Sequence, residues 1–295
     1  MKKRLLSLFV VLTIIVSMTS SASAIVFQSD LKPTKNTVTA NEYDYIVNVR
    51  RAQTNLDLSS NSISPEELEY ITSDAIEKEL VYRSTLPENI LRENYCYSDE
   101  AIKILKEYNG EKLENNPELR AVTATLRATL GEYVGTTTRT GVIYTWEWNA
   151  RPLNLWSDYA AVIWEGTYRN GAANNMRFDP DYSHAVVEYY YSSARKESVD
   201  IDFCKISSYK GAAINFPMEK YMNGWYYWAK SGSMFIYMDL VNQTDGNFLY
   251  ELSVEGQYAH YSIALGAGVS FPAGFSVSFS GSRDILGTKR IFIQP

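Results

Sequence analysis

Apolar residues occupy every second position between residues 261 and 280. Small or polar residues, chiefly Ser and Gly, fill the positions between them, and a Pro-Ala-Gly sequence at 272–274 interrupts the run. Because successive side chains of a strand point to opposite faces, this pattern predicts a two-stranded hairpin with one apolar and one small, polar face. Its apolar face would consist of Ile263, Leu265, Ala267, Val269, Phe271, Phe275, Val277 and Phe279.

The same period of two recurs in short runs from residue 138 onward. Trp146 and Trp148 share a face with Val142, which favours core packing for both rings. Short strands separated by turn clusters are typical of an antiparallel β-sandwich, and we predict a mainly β, jelly-roll-like domain. The predicted strands are 142–148, 160–164, 184–192, 198–206, 225–229, 234–241, 248–254 and 289–293. The turn clusters lie at 149–152, 170–175, 230–233 and 243–247.

Clear helical periodicity is found before residue 110. Ser64 and Glu67 form a capping box around Pro65, and apolar residues follow at helical spacing to about Arg83. A second, shorter helix is predicted to start at Ser98, with acidic residues in its first turn and a glycine stop at residue 110. Residues 118–130 fit either a helix or a strand.

The composition divides the chain into three regions. We predict a signal peptide at 1–24, a polar N-terminal segment with two short helices at 25–120, and an antiparallel β-sandwich domain at 121–295. Two short helices bury little surface by themselves. The segment therefore either packs on the β domain or is a pro-segment that is removed, and we favour packing.

The N-terminus has the pattern of a secretory signal peptide. A basic start, Lys2 to Arg4, precedes an apolar run and an Ala-Ser-Ala sequence that ends at Ala24. The apolar run is about 14 residues long and falls short of the ~20 that span a bilayer, which disfavours an uncleaved anchor. We therefore expect a secreted, extracellular protein without a stable membrane anchor.

The charge of the chain disfavours some partners. The net charge of −6 would become −9 once the three basic residues of the leader are removed. A negative chain is a poor ligand for nucleic acid and for anionic lipid surfaces. Export also permits a disulfide between Cys96 and Cys204; the alternative is two buried free thiols.

Short motifs resemble a group of secreted proteins. Residues 97–102 (YSDEAI) and 105–108 (LKEY), followed by 145–148 (TWEW), look like segments of secreted proteins of unknown function from Gram-positive bacteria. The resemblance implies export and a helical N-terminal segment joined to a C-terminal β domain. It implies no activity and no catalytic residues.

Candidate catalytic residues are few. His184 and His260 are the two histidines, so a His-rich metal site is excluded, and either one would need a nucleophile and an orienting carboxylate beside it to act as a base. No Gly-x-Ser-x-Gly sequence is present. Paired strand carboxylates could support glycoside hydrolysis. The candidates for such a pair are Glu147, Glu165, Glu188, Asp200 and Asp202.

A loop with oxygen ligands is a candidate calcium site. Asn174, Asp179 and Asp181 offer the donor atoms that Ca²⁺ prefers, although the spacing of an EF-hand is absent. Such residues are equally common in ordinary turns. We predict no cofactor.

Aromatic residues are candidates for ligand binding. The chain has 6 Trp and 23 Tyr, more than a core of this size requires, and exposed rings could stack on sugars. Trp156, in a predicted loop, Trp225 and Trp228 are the candidate ligand-binding residues. Trp225 and Trp228 differ by an odd number, so one of them should face the core.

These observations favour a secreted, non-catalytic binding or interaction protein. Its candidate partners are a cell-surface glycan such as cell-wall polysaccharide, or another extracellular protein. Two alternatives remain open. The hairpin at 261–280 could make the protein membrane-active or pore-forming, because its faces alternate in polarity; or the strand carboxylates could form a hydrolase site.

Overall fold

The computed structural model describes residues 36–44, 46, 73–135, 139–153, 155–168, 173–174, 176–240, 249–261, 269–270, 278–279, 283–287 and 291–293. They all belong to Pro33–Pro295, the second of two units into which the chain divides; the first is Met1–Lys32. The predicted signal peptide at 1–24 and the predicted helix start at Ser64 lie outside the described residues.

The described chain is mainly β, with antiparallel sheets and few helices. The helices are α1 (Ser73–Thr85), α2 (Glu88–Glu93) and α3 (Asp99–Glu107), followed by 3₁₀ turns at Leu113–Asn115 and Pro117–Val122. The strands are β1 (Thr37–Asn41), β2 (Thr125–Gly135), β3 (Arg139–Trp148), β4 (Ser157–Tyr168), β5 (Ala173–Asn174), β6 (Met176–Phe178), β7 (His184–Ser192), β8 (Arg195–Asp200), β9 (Phe203–Ser207), β10 (Gly211–Pro217), β11 (Glu219–Met222), β12 (Trp225–Leu240), β13 (Leu249–Tyr261), β14 (Val269–Ser270), β15 (Ser278–Phe279), β16 (Arg283–Gly287) and β17 (Ile291–Ile293).

The strands form two large sheets. Sheet A has eight strands, in the order β1-β2-β3-β12-β7-β8, with β6 and β11 also paired to β12. Sheet B has seven, in the order β16-β13-β4-β10-β9, with β17 on β13 and β5 on β4. β14 and β15 form a separate two-stranded pair.

Aromatic rings from the two sheets meet in the core. The ring centroid of Trp146 on β3 lies 5.4 Å from that of Phe216 on β10 and 5.8 Å from that of Tyr258 on β13. Trp148, Trp146 and Val142 are all buried. The prediction that both tryptophans are core residues is therefore confirmed, and the large rings fill the space between the sheets.

One close approach between the sheets requires a glycine, Gly256. A Cβ atom added to Gly256 on β13 would lie 2.3 Å from the ring of Tyr144 on β3. Since Tyr144 is buried, its ring has little room to move away. We expect Gly256→Ala to lower the free energy of unfolding by about 1–3 kcal/mol, the usual cost of overpacking a core.

Urea denaturation of the Gly256→Ala variant measures this cost. Gly141→Ala is its control, because a Cβ there would lie 3.2 Å from the nearest ring atom, on Tyr237. If the two variants were equally stable, the contact between Gly256 and Tyr144 would not limit core packing.

Several predicted strands differ from the observed ones. The predicted turn at 230–233 is wrong, because β12 runs without a break through these residues. A β-bulge lies between Ala229 and Ser231, where β12 pairs with β7. The predicted strand 198–206 is two strands, β8 and β9, which lie at the edges of different sheets. β10 and β11 were not predicted.

The helices follow their capping signals where these are described. Ser98 caps α3, and its side chain accepts a hydrogen bond of 3.2 Å from the backbone N–H of Ala101. The predicted apolar residues of this helix, Ile102 and Leu105, are buried. α2 was not predicted. Residues 118–130, which fitted either state, contain a 3₁₀ turn and the start of β2.

The helices share one hydrophobic core with the sheets. Leu80, Leu91 and Leu105 belong to the same buried cluster as Trp148 and Tyr258. No helix among the described residues is long and apolar enough to cross a membrane. The predicted domain boundary between residues 120 and 121 stays a prediction.

The C-terminal hairpin predicted at 261–280 is described in part. β13 ends at Tyr261, and Val269 pairs with Phe279 and Ser270 with Ser278, a register that fits a turn at 272–274. The side chains of this hairpin lie outside the described residues, so which face is buried stays a prediction, as does a membrane-active role.

The two cysteines do not form a disulfide. Cys96 is half-buried, whereas Cys204 is exposed on β9, and its Sγ lies 3.4 Å from the carbonyl oxygen of Ala213. The disulfide considered from the sequence is therefore not formed, and the expectation of a buried thiol is wrong for Cys204. The reason is that β9 is an edge strand, which leaves its side chains open to solvent.

Candidate functional site

β11 and β12 form a tight hairpin at one corner of sheet A. Its turn residues, Asn223 and Gly224, have φ angles of 51° and 85°. An Asn-Gly pair with two positive φ angles is the preferred two-residue hairpin turn. The turn brings Met222 opposite Trp225 and Tyr221 opposite Tyr226, so the hairpin presents aromatic side chains next to its end.

Trp225 lies in a cluster of rings and one cation. Its ring centroid is 4.9 Å from that of Tyr191 on β7, and the Tyr191 ring in turn lies 6.0 Å from Tyr227. The guanidinium carbon of Arg195 on β8 is 4.2 Å from the Trp225 centroid, within cation–π range. Although it is packed in this way, Trp225 keeps 41% of its surface exposed.

Tyr221 and Tyr226 form a second exposed aromatic pair on the same hairpin. Their ring centroids are 5.0 Å apart, as expected for a cross-strand pair, and 62% and 60% of their surfaces are exposed. This pair lies on the opposite face of the hairpin from Trp225, because neighbouring residues of a strand alternate between its faces. We call Tyr191, Arg195 and Trp225 the tip surface.

The three candidate tryptophans occupy different environments. Trp225 is part of the tip surface, whereas Trp228 is buried and its Nε1–H donates a 2.9 Å hydrogen bond to the carbonyl oxygen of Asn94. Trp228 is thus the core member of the pair, and its ring cannot be reached by a ligand. Trp156 is 42% exposed, and its carbonyl oxygen accepts a 2.6 Å hydrogen bond from the N–H of Met218.

Asn94 ties the strands of the tip surface together. Its side-chain amide donates to the carbonyl oxygen of Tyr191 at 2.8 Å, while its own carbonyl oxygen accepts from Trp228. β7 and β12 are therefore held by one residue, which follows α2 directly. No sequence pattern indicates this role, because an asparagine at a helix end is common.

A second set of polar residues lies at the centre of the protein. His260 Nδ1 is 2.9 Å from Asp158 Oδ2, and the hydroxyl of Tyr258 donates to the same oxygen at 2.6 Å. On the other side of the ring, His260 Nε2 is 3.6 Å from Glu42 Oε1, beyond hydrogen-bond distance. The Glu42 carboxylate also accepts from the N–H of Leu153 at 2.9 Å. All four ionisable side chains are buried.

This environment fixes the charge of His260. Burial disfavours the imidazolium, but the charge of Asp158 and its hydrogen bond, with a smaller contribution from Glu42, raise the pKa of His260 to about 10. Burial and the charge of Asp158 raise the pKa of Tyr258 as well. At neutral pH the imidazole is therefore protonated between two carboxylates. It cannot accept a proton as a general base, although the orienting carboxylate that such a base needs is present.

Arg83 on α1 is another buried charged residue that was not predicted from the sequence. Its guanidinium donates to the Tyr97 hydroxyl at 2.6 Å and to the carbonyl oxygens of Arg151 and Pro152 at 2.9 and 2.8 Å. Glu79, four residues earlier, is its 2.7 Å ion-pair partner. Burial opposes its charge, yet Tyr97 and Glu79 raise the pKa of Arg83 further above its ordinary value. These contacts serve structure, because they hold the connection between β3 and β4.

The candidate calcium ligands are not grouped around a cation site. Asp179 accepts a 3.1 Å hydrogen bond from Arg139 and a 3.0 Å bond from the N–H of Asp181, whose side chain is exposed. The side chain of Asn174 lies outside the described residues. Within the described part of the chain, no group of three or more His, Cys, Asp or Glu side chains could hold a metal ion.

Two of the candidate carboxylates lie in one row on sheet A. Ser231 of β12 pairs with Glu147 on one side and with Glu188 on the other. Neighbouring strands are about 4.8 Å apart, so the two backbones are separated by roughly 9.6 Å. Asp200 lies two rows further, opposite Val186. Glu165 belongs to sheet B, and Asp202 lies between β8 and β9.

Comparisons with known proteins add little. A scan against protein-family models gives no match, and a search of curated proteins gives none either. A solved structure described as "AvmM Catalyzes Macrocyclization in Alchivemycin A Biosynthesis" is similar at 9% identity, over 57% of this chain and 90% of that chain, with a TM-score of 0.23. A score this low carries no argument about fold or function.

Proposed function

We propose that the protein is a secreted, non-catalytic binding protein and that the tip surface binds a cell-surface glycan. The observation that supports this most directly is the ring of Trp225, which packs against Tyr191 and Arg195 and keeps 41% of its surface exposed. Sugar rings bind proteins through such faces. We also propose the finer architecture inferred from the sequence: a jelly-roll-like sandwich with a helical N-terminal segment.

The rigidity of the tip surface supports binding over a purely structural role. The turn at Asn223 and Gly224 has its preferred backbone geometry, and Asn223 donates a 3.0 Å hydrogen bond to Glu197 on β8. Arg195 and Tyr191 pack against Trp225, which therefore has few alternative positions. A pre-ordered ring loses little conformational entropy when it binds a ligand.

A hydrolase is the second candidate. The row formed by Glu147, Ser231 and Glu188 supports it, because its backbone separation of roughly 9.6 Å is near the upper limit for the carboxyl pair of an inverting glycosidase. Against it, the Glu147 side chain is exposed, and Glu188 already accepts a hydrogen bond from Ser198. Mass spectrometry of oligosaccharides after incubation separates the two functions, since a hydrolase shortens them.

We expect Trp225→Ala to lower retention on a glycan array or on peptidoglycan at least about tenfold, as is typical of a buried aromatic anchor in an interface. Tyr209→Ala is a matched control. Tyr209 is 46% exposed but lies in the turn between β9 and β10, whereas Trp225 lies at the tip surface. The control should bind as the wild type does.

Trp156→Ala tests the other exposed tryptophan in the same assay. A loss confined to Trp156→Ala would move the binding site to the connection before β4 and overturn the role of the tip surface. No binding of the wild type to any glycan or to peptidoglycan would overturn the proposed function.

A further inference from the structure

Exposed aromatic rings lie on both faces of the β11–β12 hairpin. Cross-strand partners share a face, so Met222 lies beside Trp225, and Tyr221 lies beside Tyr226. Trp225 and Tyr226 are neighbours in a regular part of the strand, and their side chains therefore point in opposite directions. We call Tyr221 and Tyr226 the tyrosine pair. The tip surface and the tyrosine pair are thus on opposite faces of one hairpin.

The end of this hairpin is two strands wide. Among the described residues, β12 begins to pair with β7 at Trp228 and with β3 at Ser231. The residues of β12 before Trp228 pair with β11 alone. Because no third described strand is hydrogen-bonded to this end, a ligand can approach it from either face.

The tyrosine pair is open to solvent. Trp228 lies on the same face two residues after Tyr226, and it is buried where its indole donates to the carbonyl oxygen of Asn94. Tyr221 and Tyr226 themselves keep most of their surfaces exposed. The chain that follows α2 therefore packs on Trp228 and leaves the tyrosine pair uncovered.

The tyrosine pair offers a sugar two kinds of contact. The two rings are adjacent, with centroids 5.0 Å apart, and their faces can pack against the C–H groups of a sugar. In the described part of the chain, neither hydroxyl has a hydrogen-bond partner, so both are available to the hydroxyl groups of a ligand. The pair therefore suits the same class of ligand as the tip surface.

One glycan chain does not fit both faces. A sugar on Trp225 and a sugar on Tyr226 would lie on opposite sides of the hairpin, with its backbone between them. A β-linked polysaccharide is stiff and extended, and it would have to reverse its direction within a few units to reach both. Since the tyrosine pair adjoins the tip surface, a material of packed glycan chains that reaches Trp225 with one chain meets Tyr226 with the next.

We propose that the β11–β12 hairpin binds two neighbouring glycan chains at once, one at the tip surface and the other at the tyrosine pair. The hairpin would lie between two chains of a cross-linked polysaccharide such as peptidoglycan. Two sites on one rigid element increase retention on a material with many chains without strengthening either single contact. This inference rests on the proposed glycan-binding function and adds a second site to it.

Calorimetry with a soluble peptidoglycan tetrasaccharide counts the sites. The wild type should bind two molecules per protein, whereas Trp225→Ala and the double variant Tyr221→Thr/Tyr226→Thr should each bind one. Threonine keeps a high strand propensity at both positions. Light scattering with long, soluble glycan strands gives a second measure, because only a protein with both sites can link strands into larger particles.

Retention on intact, cross-linked peptidoglycan should fall at least about tenfold when either site is removed. Tyr209→Thr/Tyr250→Thr is the matched control, because both of these tyrosines are exposed and neither belongs to the hairpin. The control should keep two sites, the linking of strands and the retention of the wild type. Urea denaturation shows whether each variant keeps the wild-type stability.

The outcomes separate this inference from the function beneath it. One tetrasaccharide per wild-type molecule, lost in Trp225→Ala and kept in Tyr221→Thr/Tyr226→Thr, would overturn the second site and leave glycan binding at the tip surface standing. Self-association of the wild type that is lost in the tyrosine double variant alone would make a second copy the occupant of the tyrosine pair and overturn the inference. Absence of binding to the tetrasaccharide and to peptidoglycan would overturn both the inference and the cell-wall form of the proposed function.

Discussion

Arg83→Leu should lower the free energy of unfolding by about 3–5 kcal/mol, the usual cost of breaking a buried charged network by removing one partner. The substitution leaves the carbonyl oxygens of Arg151 and Pro152 and the hydroxyl of Tyr97 buried without the donor that they have now. Each unsatisfied polar group costs about 1–3 kcal/mol. The stability of a domain is only about 5–15 kcal/mol, so the variant should be close to unfolding.

Equilibrium urea denaturation measures this effect, and Arg120→Leu is the matched control. Arg120 is also ion-paired, with Asp44, but both side chains are exposed. Exposed ion pairs contribute about 0–1 kcal/mol, so the same substitution there should be nearly neutral. Equal losses from Arg83→Leu and Arg120→Leu would show that the buried guanidinium does not hold the β3–β4 connection. Arg83→Lys should recover part of the loss, because a lysine keeps the charge but not the planar fork.

Asp158→Asn should cost about 3–5 kcal/mol near pH 6.5 and progressively less as the pH rises. The imidazolium of His260 is stabilised by this carboxylate, and its pKa of about 10 lies above the 6.5 of an unfolded histidine. Between pH 6.5 and about 10, the folded state therefore binds one more proton at His260 than the unfolded state does. Its stabilising contribution is complete below about pH 6.5 and is lost as the pH rises toward 10.

The measurement is the free energy of unfolding of wild type and variant at pH 6, 7, 8 and 9. The wild type should lose about 1.4 kcal/mol per pH unit from this group, and Asp158→Asn should show a much shallower dependence. Tyr258→Phe is the control. It removes one hydrogen bond to Asp158 and keeps the charge pair, so it should lose about 1 kcal/mol at every pH. A constant difference between Asp158→Asn and wild type would mean that His260 is neutral in the folded protein.

Local patterns predicted the elements whose signals are contained in a few adjacent residues. The bounds of β7, 184–192, follow from alternation alone, and the start of α3 follows from Ser98 and the acidic turn after it. Residues 230–233 misled the prediction, because Lys-Ser-Gly-Ser is typical of a turn. Gly232 is instead required inside β12, where a Cβ would lie 2.3 Å from the ring of Trp146 on the neighbouring strand. A packing requirement across strands leaves no local signature.

The candidate site was predictable in the same limited way. Trp225 was a candidate because the chain is rich in aromatic residues and rings on a sheet face could stack on sugars. Tyr191 and Arg195 were not, because they reach Trp225 only through the pairing of β7 with β12 and of β8 with β7. Asp158 had one usable signal, a lone carboxylate at the head of an apolar strand. Nothing in the sequence indicated that its partner would be His260.

The contact between Glu42 and His260 has a consequence for how the protein folds. Glu42 lies at the start of the described chain and His260 near its end, so their meeting closes a loop of more than two hundred residues. β1 and β2 pair across a separation of 92 residues at Thr37 and Thr129. Proteins dominated by such non-local contacts fold slowly. The charged centre can therefore form only after almost the whole chain has been synthesised.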